Sequence, residues 1–301
     1  MASIQSYILR FLLRKTVNWN RPLNEIREFQ KNIEKKEVIP PGIQIEKINI
    51  SGIESEWFIP RDSSKERTLI YLHGGGYCLG IVNANRNFVL KLSAEFGVPL
   101  ILLNYRLAPE SPYPTALNDS ISLYEYLVND LKITSGNIGY IADSSGCGLT
   151  LATLLVLKQK QFPLPCFQIF MSPVVDLKRS GNSFKTMAGK DPFNIKGNYF
   201  IDNNYLIGYD PSNPLISPIY GDLAEISHTF IQASEYDVFL SDSEMLNQKL
   251  LASNVKVNFK VWPKMWHIFQ MSHTILPEGK RAINEIKQFI HSIWTSETGK
   301  T

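Results

Sequence analysis

Residues 138–158 open with Ile138-Gly139-Tyr140-Ile141-Ala142-Asp143-Ser144-Ser145-Gly146-Cys147-Gly148 and continue from Leu149 to Lys158. The first five are short and apolar, as a strand buried on both faces of a parallel sheet requires, and Leu149 to Lys158 reads as helix. A serine stands at the tip of the turn between them. A nucleophile elbow, the sharp strand-to-helix turn that presents a Ser hydroxyl, needs small residues two before and two after that Ser, because Cβ atoms there press on neighbouring backbone. Ala142 and Gly146 meet this need. A Ser with Gly two residues later is common by itself and also suits a glycine-rich helix start. The strand before it and the helix after it raise its weight.

Upstream, the apolar strand Thr68 to Leu72 runs directly into His73-Gly74-Gly75-Gly76-Tyr77. Three glycines after a strand let backbone N–H groups face a cavity. Acyl transfer needs such donors around the oxyanion of its tetrahedral intermediate, each worth roughly 3 kcal/mol of barrier. The alternatives are a flexible turn or a phosphate-binding loop. Neither Gly-Lys-Ser/Thr nor G-x-G-x-x-G is present here.

Working outward, strands are expected at Ile43 to Ile50, Ser55 to Ile59, Pro99 to Tyr105, Phe167 to Met171, Thr229 to Ala233 and Val255 to Val261. Helices are expected at Asn85 to Glu95, Ala116 to Leu131, Cys147 to Lys158, Asp242 to Ala252 and Gly279 to Trp294. This alternation predicts an α/β class with a mostly parallel, eight-stranded sheet flanked by helices, its first two strands forming an antiparallel edge hairpin. One connection is too long: about 55 residues separate Pro173 from Thr229, several times a usual βα loop. That insertion carries Phe193, Tyr199, Phe200, Tyr205, Leu206 and Tyr209, too apolar for a bare linker. With the N-terminal segment it is expected to cap the C-terminal edge of the sheet, where open α/β sheets bind ligands. The expected division is 1–42 and 178–218 for the two parts of the cap, and 43–177 and 219–301 for the two parts of the core.

Composition narrows the function classes. The chain has 301 residues, 44% hydrophobic, with 31 Lys and Arg against 28 Asp and Glu, a net charge of +3. Basic residues are spread along the chain, which makes nucleic acid an unfavoured partner. Three cysteines (Cys78, Cys147, Cys166) without C-x-x-C spacing argue against a disulfide framework or a thiolate metal site, and fit a reducing cytoplasm. No stretch approaches the roughly 18 apolar residues of a membrane span. Met1 to Val17 does place Ile4, Ile8, Phe11 and Leu12 at helical spacing, with Gln5, Ser6, Arg10 and Arg14 elsewhere on the wheel. This amphipathic helix is expected to pack on the protein's own body, the alternative being peripheral attachment to a membrane.

Taken together, His73-Gly74-Gly75-Gly76, Tyr105-Arg106-Leu107-Ala108-Pro109-Glu110 and Asp143-Ser144-x-Gly146 resemble the bacterial hormone-sensitive-lipase-like esterases of the α/β-hydrolase superfamily. The resemblance covers nearly the whole chain. It implies a capped α/β-hydrolase that cleaves carboxylic esters of small molecules through a Ser-His-Asp/Glu triad, without a cofactor. It also carries over the N–H groups of Gly75 and Gly76, beside that of Ser145, as the oxyanion hole.

The acid and base should follow the Ser in that order, after later strands. The strand Thr229 to Ala233 leads to three acids, Glu235, Asp237 and Asp242. Ser241-x-x-Glu244 reads as a capping box that puts Asp242 in a first helical turn, and so gives it a structural task. Asp237-x-x-Leu240-x-Asp242 resembles the family's acid motif, whose first acid is the triad member, which favours Asp237. Among five histidines, His228, His273 and His291 read as surface or packing residues. His267, in Trp262-Pro263-Lys264-Met265-Trp266-His267, falls just past the last predicted strand in a loop resembling the family's His motif. No pair of histidines has metal-ligand spacing, so no metal is expected.

The chain departs from its relatives at Ala142, Ser145 and Cys147, where they tend to Gly, Ala and Gly. Ala142 adds a methyl to a crowded turn, the Ser145 hydroxyl enters the site's hydrogen bonding, and Cys147 reads first as a packed residue. A lactone or amide hydrolase with the same triad, and a ligand-binding protein on a hydrolase fold, are the competing functions. Oligomeric state is left open, a homodimer through an edge strand or the last helix being the arrangement such hydrolases use.

Overall fold

The computed structural model describes residues 2–16, 21–32, 36–192 and 199–298. Phe193 of the insertion lies outside them. A single eight-stranded sheet has the order β1-β2-β4-β3-β5-β6-β7-β8. The strands are β1 (Ile43–Ile50), β2 (Ile53–Pro60), β3 (Thr68–Leu72), β4 (Leu100–Leu102), β5 (Ile138–Asp143), β6 (Phe167–Met171), β7 (His228–Ser234) and β8 (Val257–Trp262). From β3 and β4 onward they run parallel, while β1 and β2 pair antiparallel at one edge. Ile50 faces Ile53 across a two-residue turn, Ser51-Gly52, in which both residues have positive φ, as a tight hairpin prefers.

The helices are α1 (Ile4–Thr16), α2 (Leu23–Asn32), α3 (Asn83–Phe96), α4 (Thr115–Asn129), α5 (Ser145–Gln159), the short α6 (Ser183–Thr186) and α7 (Tyr199–Asn204), α8 (Leu240–Ala252) and α9 (Pro277–Thr298). Every residue of β3, β5 and β6 is buried, because helices cover both faces. On one face Leu123, Tyr124, Leu127, Leu154 and Leu246 of α4, α5 and α8 pack against Ile70, Tyr140 and Phe170. On the other, Phe88, Leu92, Ile286 and Trp294 of α3 and α9 pack against Leu69, Ile141 and Phe167.

Three expectations need correction. Strand β4 stops at Leu102 instead of reaching Tyr105: past Leu103 the backbone N–H groups turn to side chains, that of Asn104 to Ser55 Oγ (3.4 Å) and that of Arg106 to Asp119 (2.9 Å). Helix α8 begins two residues before the predicted capping box would start it, with Phe239 at its N-cap and no side-chain cap bond. Ser241 instead exchanges hydrogen bonds with Ser183 of α6, each hydroxyl accepting the other residue's N–H at 3.0 Å. The third concerns α1. It does lie on the body, but through Ala2, Leu9 and Leu13, which meet a cluster of Trp262, Met265, Trp266 and Phe269. The predicted stripe of Ile4, Ile8, Phe11 and Leu12 points the other way and is exposed. Aromatic side chains after β8 supply an apolar seat for the opposite face, and Glu278 pins the helix start by accepting from the Ser3 N–H and hydroxyl (2.7 and 2.8 Å).

Candidate active site

The turn from β5 into α5 holds Ser144 at φ 52°, ψ −124°, a strained conformation for a residue with a Cβ. Hydrogen bonds fix it: the Ser144 N–H donates to the Met171 carbonyl (3.0 Å), and its own carbonyl accepts from Cys147 and Val174 N–H (both 3.1 Å). The turn is too tight for a side chain at Gly146, where a Cβ would lie 2.1 Å from the Leu72 carbonyl oxygen. Ser144 remains half-buried while Asp143 and Ser145 on either side are buried.

His267 stands in the loop after β8 and Asp237 in the loop after β7. The two loops are tied by the Tyr236 N–H, which donates to the Met265 carbonyl (2.8 Å). His267 Nδ1 lies 2.9 and 3.1 Å from the two Asp237 carboxylate oxygens, and Nε2 lies 2.9 Å from Ser144 Oγ. An ionised carboxylate only accepts, so Nδ1 carries the hydrogen and Nε2 is left to accept from the Ser144 hydroxyl. Asp237 Oδ1 also accepts the Phe239 N–H (2.8 Å), and the Phe239 ring sits 5.1 Å from the imidazole. Burial pulls the His267 imidazole down, and the Asp237 carboxylate, with Asp191 and Asp143 behind it, more than offsets this. The ring ends above the ordinary histidine value.

The other candidates have separate tasks. Glu235 accepts the Lys264 N–H (2.7 Å) at the surface. Asp242 lies buried at the start of α8 and accepts the N–H groups of Val175 and Asp176 (2.8 and 3.0 Å), and burial pushes its carboxyl up to about 8. His228 contacts Asn258, His291 the Phe96 carbonyl and His273 Glu95, all away from Ser144.

The glycine loop lies against the elbow. A Cβ on Gly74 would come 2.4 Å from Asp143 Oδ2 and 2.9 Å from Ser144 Cβ, and Gly75 has φ +114°. His73 stacks on Tyr105 at 4.1 Å, and burial lowers its imidazole to about 4, so it stays neutral. Asp143 accepts from the Tyr71 hydroxyl (2.6 Å). The Gly76 N–H donates to Ser145 Oγ at 2.9 Å, and the Tyr105 hydroxyl donates to the His73 carbonyl at 2.7 Å. The Ser145 hydroxyl, in contact with Tyr105, thus stitches the glycine loop to the elbow. Cys147 is buried in the core with its thiol 3.8 Å from the Met171 carbonyl oxygen, which settles it as packing.

Two neighbours escaped the sequence reading, and the task of a third, Tyr105, quoted only within the family motif, did too. Tyr71 looks like an ordinary strand residue until its hydroxyl reaches Asp143, and Tyr105 shows its task only where its ring stacks on His73. Asp191, in the insertion, accepts the Val238 N–H (3.3 Å) beside Asp237. Nothing in its local pattern marks it.

The alpha/beta hydrolase fold family matches residues 69–271. An acetyl-hydrolase of Streptomyces hygroscopicus is 31% identical over 302 residues, 97% of this chain and 98% of its own. The chain belongs to the hormone-sensitive-lipase-like esterases of the α/β-hydrolase superfamily. This esterase superposes with a TM-score of 0.90 on a crystal structure of the esterase EstE5 soaked with p-nitrophenyl butyrate, at 32% identity, covering 98% of this chain and all of that one. It also resembles a crystal structure of an esterase from the bacterial hormone-sensitive lipase family (TM-score 0.89, 29% identity, 97% and 99% covered). It is a carboxylic ester hydrolase. Among its described residues no helix is long and apolar enough to cross a membrane.

Proposed function

We propose that this esterase hydrolyses short- to medium-chain carboxylic esters of small molecules through an acyl-enzyme on Ser144. The reading rests above all on the unbroken hydrogen-bonded row from Ser144 Oγ through His267 to Asp237. His267 takes the Ser144 proton as Oγ attacks the ester carbonyl, and Asp237 holds the ring and stabilises the imidazolium. The N–H groups of Gly75 and Ser145 receive the oxyanion, Ser145 being the first residue of α5, whose N–H has no acceptor within the helix. The positive end of α5 adds to this. Gly76, whose N–H rests on Ser145 Oγ, is recruited as the third donor as negative charge develops. His267 then protonates the leaving alcohol, and a water activated by His267 releases the acid.

The described residues of the segments 1–42 and 178–218 form the cap over this centre. Its support is the seating of the insertion on the core, with the Tyr205 ring stacked 3.9 Å from Tyr77 and Tyr113 edge-on to Tyr205 and Tyr209. Such a cap bounds the acyl pocket. Rates on p-nitrophenyl esters of rising acyl length, run beside a lactone and an anilide, should peak among the short and medium esters. Ser144→Ala should leave no more than a few per cent of that rate. A preference for the lactone or the anilide, or no turnover at all, contradicts the reading.

A further inference from the structure

Helix α1 has two apolar faces, of which the protein uses one. Leu9 and Leu13 meet the Trp262–Phe269 cluster, whereas Ile4 (76% exposed), Ile8 (57%), Phe11 (57%), Leu12 and Tyr7 face outward. The charge on this helix has one sign. Arg10, Arg14 and Lys15 lie along it with no acidic residue, and Lys15 Nζ sits 4.6 Å over the Phe11 ring. Lys264 adds a fourth cation where its Nζ donates to the Tyr7 hydroxyl (3.1 Å). The apolar surface continues beyond the helix: Leu13 and the exposed Val38 line one cleft of about 510 Å³ whose wall includes Trp266 and Ile268, the residues on either side of His267.

We propose that the outward face of α1 docks on an anionic lipid surface. An apolar stripe flanked by cations lies in the plane of a bilayer with its side chains among the acyl chains and its Lys and Arg reaching back to the headgroups. A second copy fits less well. A two-fold contact centred on the stripe brings α1 against α1, where Arg10, Arg14 and Lys15 meet no counter-charge. Docking would put the His267 side of the molecule beside the membrane, where apolar esters accumulate.

The test is co-sedimentation of the full chain with vesicles of phosphatidylcholine alone or with about a third phosphatidylglycerol, at roughly 50 mM and 0.5 M salt. The protein should partition at least about fivefold more strongly onto the anionic vesicles at low salt, about fivefold being what one basic contact supplies. I8D/F11D should abolish binding. R14E/K15E, which keeps the stripe, should weaken anionic binding at least about 30-fold. Both variants should keep the wild-type circular dichroism, since the altered side chains are exposed. Absence of wild-type binding, or binding untouched by I8D/F11D, overturns the proposal. So does a wild-type dimer, measured by light scattering, that I8D/F11D splits while vesicles go unbound.

Discussion

At the scale of single residues, the site depends on which group holds which hydrogen. Asp237 accepts at Nδ1 of His267 and thereby fixes the acceptor at Nε2, next to Ser144 Oγ. Wild-type kcat/KM should therefore rise with pH as His267 loses its proton, along a limb centred above 6.5. In Asp237→Asn the burial remains and most of the opposing charge is gone, so that limb should move below 6.5, with kcat falling about 10⁴-fold. A pH–rate profile measures both, and a limb that stays put would remove Asp237 from the account. Ser145 offers a finer test. Its Oγ occupies a donor of the glycine loop. Ser145→Ala should cost about 1–3 kcal/mol in chemical denaturation, since the Gly76 N–H loses its buried partner. It should at the same time raise kcat on short esters, because that N–H turns to the oxyanion. A fall in both quantities would show that the hydroxyl supports the hole and does not compete with it. The Ser145 substitution was visible in the sequence as a departure from the family. Its partner was not, because a contact between residues 76 and 145 exists only once β3 and β5 lie side by side.

At the scale of elements, α8 is joined to the loop after β6 by one buried carboxyl. Asp242 accepts two N–H groups of that loop and titrates near 8, against an ordinary 3.8. Between about pH 4 and pH 8 the folded protein therefore holds a proton that the unfolded chain has released, so stability falls as pH rises across that window. Asp242→Asn keeps an oxygen acceptor without the charge and should flatten the decline, read as urea midpoints from pH 5 to 8. An unchanged slope would mean that Asp242 is ionised in the fold. The sequence put Asp242 in the first turn of this helix correctly, yet for the wrong reason. Local pattern suggested a capping box, whereas the Ser241 hydroxyl is taken by α6, an element of the insertion that no local rule ties to α8. The strands fared better. Those at 68–72 and 167–171 end where their apolar runs end, since burial on the sheet sets their length, and the alternating strand at 43–50 ends at the Ser51-Gly52 turn. β4 ends early because the side chains of Ser55, distant in sequence, and Asp119 capture its outgoing N–H groups.

At the scale of the whole molecule, the sheet gathers three loops that are far apart in the chain. Ser144 follows β5, Asp237 follows β7 and His267 follows β8, and the parallel registers of those strands put all three loops at one edge. Motif order and the strand pattern made this gathering readable in advance, because parallel strands carry their following loops to the same end. The two faces of α1 were not readable. Hydrophobic spacing identifies an apolar stripe, but which side of a helix finds a partner depends on what the fold puts beside it, here the aromatic cluster after β8. The central claim is that Ser144 is the nucleophile, and covalent capture tests it most directly. Incubation with an alkyl p-nitrophenyl phosphonate, followed by peptide mapping, should release one equivalent of p-nitrophenol per chain and leave the phosphonate on Ser144. Loss of ester hydrolysis should run in step with the labelling. An adduct on any other residue, or ester turnover that survives full labelling of Ser144, would contradict it.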